Sequence, residues 1–214
     1  IIINGMLVLD PMSHMFTRKH HHSNVVSLPN IKHDGKFRPV NKSRLANKPV
    51  ITAVVLNWER PLNLIHYILP ALATCPLVGE IIISHGQEKT QFNWKSPNHT
   101  KVIHRNDAPL NKTYGLALRF VAAQDARYPN LLFLDDDLIP HPATIINMFR
   151  VYRENFPCLV GRFGRSPTPE LTYSTRTTPP SHCRVPILLT SLVLFPLQLA
   201  HAFFLEAPQI WTWV

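Results

Sequence analysis

The stretch ITAVVLNWERP, residues 51–61, decides the fold class. Its first six residues are apolar or β-branched, a pattern typical of a strand buried on both faces of a parallel sheet. Pro61 occupies a favoured first position of a helix, and apolar residues recur at three- and four-residue steps from Leu62 to Leu72. The stretch therefore predicts a strand, a loop and a helix, with a kink at Pro70.

The same unit recurs along the chain. Apolar runs at 80–84, 101–104 and 131–134 predict three further strands, and helical periodicity marks residues 113–127 and 142–155. Alternating strands and helices indicate an α/β fold. We expect an αβα sandwich with a mostly parallel sheet.

The apolar run at 185–205 is long enough to suggest a membrane helix. Pro186 and Pro196 divide it, however, and polar residues interrupt its second half. It therefore predicts a core strand at 187–194 followed by an amphipathic helix, with a membrane span as the alternative.

The composition predicts one folded domain behind a basic tail. The chain has 214 residues and a net charge of +9, and residues 1–48 hold eight basic and two acidic side chains. We interpret 1–48 as an N-terminal tail or stem and 49–214 as the domain, and expect no nucleic-acid partner because little positive charge is left on the domain. No P-loop, GxGxxG or CxxC motif is present, which excludes those phosphate sites and zinc ribbons.

Three consecutive carboxylates, Asp135, Asp136 and Asp137, follow the apolar run at 131–134. Ligands of open α/β sheets bind beyond the carboxyl ends of strands, and adjacent carboxylates repel one another unless a cation or hydrogen-bond donors offset them. If the backbone stays extended, Asp135 and Asp137 project to one side and Asp136 to the other. The alternative is that the run caps the helix that begins near residue 140.

The chemistry of such a site favours a hard cation. Carboxylate oxygens without paired His or Cys suit Mg²⁺ or Mn²⁺, which complete their shells with water and substrate phosphate. The Asp run therefore predicts a substrate that carries a diphosphate.

The order of motifs along residues 52–165 resembles the exostosin-type glycosyltransferase domain, family 64. The motifs are TAVVLNW, then Arg60-Pro61, EIIISHG, Leu110-Asn111 and LLFLDDDL. The resemblance implies a GT-A fold, which is Rossmann-like, with a UDP-sugar donor and Mn²⁺ (or Mg²⁺) as cofactor. It also implies retaining transfer of a sugar, typically an N-acetylhexosamine, to a glycan acceptor in the lumen of the secretory pathway, in the Golgi or endoplasmic reticulum.

The resemblance also assigns roles to residues. Asp137 matches a metal ligand, with Asp135 beside it, and Asp135 and Asp136 match positions near the ribose and the sugar. Arg60 matches a nucleotide-contacting Arg, and Asn111 matches the first Asn of a Leu-Asn-Asn-Arg stretch. The candidate donor-binding residues are Asn57, Arg60, Asn111, Lys112, Asp135 and Asp136, with Asp137 and Asp135 as metal ligands.

The chain departs from that family pattern in two places. Lys112-Thr113 stands where the family has Asn-Arg, so the cation that faces the diphosphate is Lys112, Arg119 or neither, and Lys is a poorer bidentate phosphate ligand than Arg. The family's later half, which carries the acceptor surface and a further catalytic acid, would follow residues 187–205. We therefore expect a domain that is incomplete at its C-terminal end, with a nucleotide- or metal-binding module without turnover as the alternative function. No catalytic residue is assigned.

One further residue lies at the same predicted edge of the sheet. His85 follows the second strand, and we interpret it as a surface residue or a contact to the base or sugar of the donor.

Overall fold

The computed structural model describes residues 48–154, 159–161 and 191–206, with side chains up to residue 203. It also describes the backbone of four short strands, at 2–3, 6–9, 164–165 and 187–188.

Four of the described strands, at 51–57, 78–85, 101–106 and 130–135, lie at the apolar runs that predicted them. The described strands are ten in all. They are β1 (Ile2–Ile3), β2 (Met6–Leu9), β3 (Ile51–Asn57), β4 (Val78–His85), β5 (Lys101–Asn106), β6 (Asn130–Asp135), β7 (Leu159–Gly161), β8 (Gly164–Arg165), β9 (Ile187–Leu188) and β10 (Leu192–Pro196).

Helices connect and cover these strands. The α-helical segments are α1 (Pro61–Asn63), α2 (Leu69–Ala73), α3 (Asn111–Tyr114), α4 (Leu118–Ala122), α5 (Pro142–Glu154) and α6 (Leu197–Glu206). A π-helical turn, Leu64–Ile68, joins α1 to α2, and a 3₁₀ turn, Gly115–Ala117, joins α3 to α4.

Eight of the described strands form one sheet, in the order β1-β2-β7-β10-β6-β3-β4-β5. The block β6-β3-β4-β5 is parallel throughout, as expected for strands joined by helical crossovers. Beyond β6 the neighbouring pairs run antiparallel, and β8 and β9 form a separate two-stranded sheet. The α/β class is confirmed, with the predicted parallel arrangement in the block that carries the Asp run.

Strands β3, β4 and β6 are buried on both faces, and their apolar side chains alternate between two layers. Val55, Ile83 and Leu134 contact the layer that contains α2 and α5, whereas Val54 and Phe133 contact the layer next to α4 and α6. All of these side chains are fully buried. This two-sided burial explains why the strands read as continuous apolar runs in the sequence.

Two helical segments differ from their sequence-based outlines. The helix that begins at Pro61 contains a π turn ahead of Pro70, the residue at which a kink was predicted. Leu69 N–H donates there to the carbonyl of Leu64, directly before the proline, which lacks an N–H. The helix predicted at 113–127 begins earlier and is broken at Gly115, whose φ of 49° is unfavourable for other residues.

The outer part of the sheet contains two further differences. Strand β2, Met6–Leu9, pairs with β7, so this part of the predicted tail belongs to the sheet, while residues 10–47 lie outside the described residues. In the run at 185–205, a strand (β10) followed by a helix (α6) is present, as predicted, but the strand begins at Leu192 and not at Ile187. Ile187–Leu188 forms a separate strand that pairs with β8. Within the described part of the chain, no helix combines the length and apolarity needed to cross a membrane.

Candidate active site at the carboxyl ends of the parallel strands

The carboxyl ends of β3, β4 and β6 meet at one edge of the sheet. Asn57 at the end of β3 is paired in register with His85 of β4, and Leu56 with Asp135 of β6. The loop after β3 therefore lies beside the Asp run, as the sequence predicted for a site at this edge.

Asp136 holds the loop after β3 in place. Its Oδ2 accepts hydrogen bonds from the backbone N–H groups of Trp58, Glu59 and Arg60, at 2.9, 2.7 and 3.0 Å. The Asp136 side chain is only 8% exposed. The carboxylate thus caps the segment that leads into α1, and its charge strengthens all three hydrogen bonds.

The cap alternative was wrong about the helix near residue 140, because the hydrogen bonds of Asp136 go to the loop after β3. The sequence placed the cap on the helix near residue 140, whereas Asp136 serves the start of α1. At α5 the N–H of Ala143 donates instead to Nδ1 of His141, at 3.2 Å. A contact between residues that are so distant in sequence leaves no local pattern.

Arg60 lies between two of the three carboxylates. Its Nη1 is 3.0 Å from Asp137 Oδ2 and 3.4 Å from Asp136 Oδ1. The side chains of Arg60 and Asp137 are 50% and 57% exposed, so this pair lies at the open side of the site.

Asp135 is paired with a different cation. Nη2 of Arg119, on α4, donates to Asp135 Oδ1 at 2.7 Å, and the Arg119 side chain is 3% exposed. Strand β6 ends at Asp135 and a turn begins at Asp136, so the backbone does not stay extended. Asp135 and Asp137 therefore make separate contacts in this structure, to Arg119 and Arg60 respectively.

The remaining predicted donor-binding residues are placed as follows. Asn111 is half-buried and Lys112 is exposed, both in the first turn of α3. Of the cations that the sequence named for the diphosphate, the structure brings Arg119 into direct contact with the Asp run.

A buried turn positions the start of α3. Asp107 accepts a hydrogen bond from Ser84 Oγ at 2.6 Å and pairs with Arg105 at 3.0 Å. Its carbonyl accepts the N–H of Leu110, directly ahead of Asn111. The ends of β4 and β5 thus fix the segment that carries the Leu110-Asn111 motif.

Asn57 is fully buried and is the first member of a chain of hydrogen bonds. Its Nδ2 donates to the carbonyl of Thr90 and to Nδ1 of His85, both at 2.8 Å, while its Oδ1 has no hydrogen-bond partner among the described residues. His85 Nε2 lies 3.0 Å from Nδ1 of His104, whose Nε2 is 2.9 Å from the carbonyl of Trp94. Because His85 Nδ1 accepts from Asn57, we assign the ring proton of His85 to Nε2, which donates to His104 Nδ1. The backbone N–H of Trp94 also lies 3.2 Å from Nε2 of His104.

His85 is thus a buried residue and not the surface histidine that the sequence suggested. Its exposed fraction is 3%. Burial, with a smaller effect of neighbouring His104, lowers the pKa of His85 from 6.5 to about 4 against the opposing effect of Asp107. His85 is therefore uncharged at neutral pH and acts as a link between strand ends.

The sequence analysis missed Trp58 and Gly86. A Cβ on Gly86 would lie 2.9 Å from Cε3 of Trp58, so the indole packs directly on the glycine backbone. The N–H of Gly86 also donates to the carbonyl of Asn57. The available signal was a scarce glycine directly after a strand.

The Asp run offers a divalent cation at most two accessible carboxylates, those of Asp135 and Asp137. No group of three or more His, Cys, Asp or Glu side chains in the described residues is arranged to hold a metal alone. Asp137 is the most exposed carboxylate of the run, Asp135 is 35% exposed, and Asp136 is committed to the loop. One or two carboxylates plus substrate phosphates form the usual environment of Mg²⁺.

Three comparisons with known proteins place this chain. A search of curated proteins finds no match. Among solved structures, 4-diphosphocytidyl-2C-methyl-D-erythritol synthase from Anaerococcus prevotii is similar over 76% of this chain and 77% of that protein, with 8% identity and a TM-score of 0.45. The model of the glycosyl transferase family 64 domain matches residues 51–210, which include the whole parallel block and the Asp run. The chain therefore belongs to glycosyltransferase family 64.

Proposed function

We propose that this glycosyltransferase is metal-dependent and moves a sugar, an N-acetylhexosamine, from a UDP-sugar to a glycan acceptor with retention of configuration. The proposal includes Mn²⁺ or Mg²⁺ as cofactor and the lumen of the secretory pathway as location. It rests on the family and on one observation, the exposed carboxylate of Asp137 beside the guanidinium of Arg60 at the end of β6.

The arrangement of charges supports a diphosphate as the bound group. Asp137 and the accessible part of Asp135 would hold the cation, and Arg60 lies close enough to share the same ligand. When bound, the cation neutralises the charge that develops on the departing phosphate. Arg60 adds a planar donor that matches phosphate geometry.

In the proposed reaction the bond between the anomeric carbon and the diphosphate oxygen breaks, and UDP leaves with the electron pair. The acceptor hydroxyl oxygen forms the new bond to that carbon, and its proton passes to the departing phosphate or to water. The protein's part is to orient the diphosphate, because Asp136 fixes the loop that carries Arg60.

The decisive experiment measures hydrolysis and transfer with UDP-N-acetylglucosamine and UDP-N-acetylgalactosamine, with and without Mn²⁺. We expect Mn²⁺-dependent release of UDP that falls at least tenfold in Asp137→Asn, since the cation loses its accessible charged ligand. The matched control Glu154→Gln removes a carboxylate from the exposed end of α5 and should keep wild-type rates. UDP release that is independent of metal, or equal in Asp137→Asn and wild type, would contradict the proposal.

The second candidate function is a nucleotide- or metal-binding module without turnover. It is favoured by Lys112-Thr113 at the family's Asn-Arg position and by Arg119, which is buried against Asp135. Metal-dependent binding of UDP without hydrolysis of either UDP-sugar would select this function.

A further inference from the structure

Arg60 already fills the position next to the predicted metal ligand. Its Nη1 is 3.0 Å from Asp137 Oδ2, a direct ion pair. The three carboxylates of the Asp run face two guanidinium groups, those of Arg60 and Arg119, which leaves one negative charge. Arg60 thus acts as the counter-ion of Asp137.

The backbone of Arg60 is fixed while its side chain is open to solvent. The backbone N–H donates to the nearly buried Asp136, together with those of Trp58 and Glu59. The guanidinium is half-exposed and holds Asp136 only at 3.4 Å. A rotation of the side chain would therefore break the pair with Asp137 and leave the loop in place.

Separating the exposed pair costs little. Ion pairs between solvent-exposed groups contribute little to stability, because water screens both charges and the side chains lose entropy on pairing. A divalent cation on Asp137 interacts with twice the charge and repels a guanidinium held at the same oxygen. Electrostatics therefore favours the replacement of the Arg60 guanidinium by the divalent cation at Asp137.

From this geometry we infer that Arg60 is the resident counter-cation of Asp137, and that a divalent cation displaces it and frees its guanidinium for the diphosphate. The inference rests on the proposed function, since it takes Asp137 as a metal ligand. The Arg60 side chain then has two opposing effects. Before the metal binds, it competes with the cation for Asp137, and after the metal binds, it contributes to binding of the nucleotide.

The test measures Mn²⁺ affinity directly, through the electron paramagnetic resonance signal of free Mn²⁺, on the full chain without nucleotide. Arg60→Gln should bind Mn²⁺ about two- to fivefold more tightly than wild type, the factor that corresponds to an exposed ion pair. The same variant should bind UDP in saturating Mn²⁺ more weakly, by at least threefold. The matched control Arg150→Gln removes the same charge from an exposed position of α5 and should leave both affinities unchanged.

A second measurement on wild-type protein does not depend on the variant. Titration with diamagnetic Mg²⁺ should shift the Nε–H resonance of Arg60, which is identified by its absence in Arg60→Gln, while the backbone amide of Arg60 shifts less. An unchanged Nε–H resonance at saturating Mg²⁺ would overturn the inference.

The outcomes separate the inference from the proposed function. If wild type binds Mn²⁺ and UDP but Arg60→Gln binds Mn²⁺ no more tightly than Arg150→Gln, the exchange is refuted and the proposed function stands. If wild type binds no Mn²⁺ with or without UDP, and releases no UDP from UDP-sugars, both fall.

Discussion

Asp136 should stabilise the fold far more than its neighbour Asp137, although both belong to the same acidic run. Replacing Asp136 by Ala removes one charged acceptor from three backbone N–H groups. Hydrogen bonds to charged groups contribute about 1.5–3 kcal/mol each, but water can reach the partly exposed loop and replace part of this. We expect the free energy of unfolding to fall by about 3 kcal/mol, or roughly 6–12 °C in Tm for a chain of this size.

Two further substitutions serve as comparisons for the loss of stability expected in Asp136→Ala. Asp137→Ala breaks only the exposed pair with Arg60, so the free energy of unfolding should change by no more than about 1 kcal/mol. Asp136→Asn retains an oxygen acceptor without the charge and should fall between the two, with a loss of about 1–2 kcal/mol.

The assay is urea denaturation followed by tryptophan fluorescence, with hydrogen exchange of the amides of residues 58–60 as a local readout. These three amides should lose protection in Asp136→Ala and keep it in Asp137→Ala. Equal losses of stability in the two alanine variants, or unchanged exchange at 58–60, would refute the role of Asp136 as the cap of this loop.

Three other predictions concern the sheet edges and the core. Gly79→Ala should lower the free energy of unfolding more than Gly86→Ala. The new Cβ would overlap the Tyr128 hydroxyl in the first case, whereas in the second it lies 2.9 Å from the edge of the Trp58 ring. Chemical denaturation compares the two variants, and the reverse order would contradict the packing. Between pH 6.5 and 4 the unfolded chain binds a proton at His85, whereas His85 in the folded chain stays neutral. The free energy of unfolding should therefore fall with falling pH, by up to about 3 kcal/mol. The same dependence on pH in a His85→Gln variant would count against this role of His85. The thiol of Cys75 is buried, and burial raises its pKa. Iodoacetamide at pH 8 should therefore label Cys75 only after the chain unfolds, which peptide mass spectrometry detects. Rapid labelling of the native chain would contradict the burial of Cys75.

The strands could be predicted from the sequence because their signal is local. Parallel strands that are buried on both faces are mostly apolar at successive positions. The run at 131–134 meets this condition throughout, and those at 51–56 and 80–84 meet it apart from Thr52, Glu80 and Ser84. The Asp run was informative for the same reason, since it directly follows such a strand and the carboxyl edge of a parallel sheet collects the functional groups.

The contacts between the side chains of the site could not be predicted from the sequence, because their partners are distant along the chain. Asp136 and the loop that it caps are 76 to 78 residues apart, and no periodicity links them. The buried Arg119 pairs with Asp135 across 16 residues, from α4 to the end of β6, and no helical or strand periodicity links the two positions. The histidine link between strand ends likewise depends on the register of β4 and β5, where Ile83 pairs with His104 and His85 with Asn106.

The central claim is that a cation on Asp137 joins the protein to a pyrophosphate. The most direct test is calorimetric titration of UDP into the full chain with and without Mn²⁺, for wild type, Asp137→Ala and the control Glu154→Gln. We predict tight binding only with Mn²⁺, retained in the control and lost by at least tenfold in Asp137→Ala. UDP binding of equal strength with and without Mn²⁺, or unaffected by Asp137→Ala, would contradict the claim.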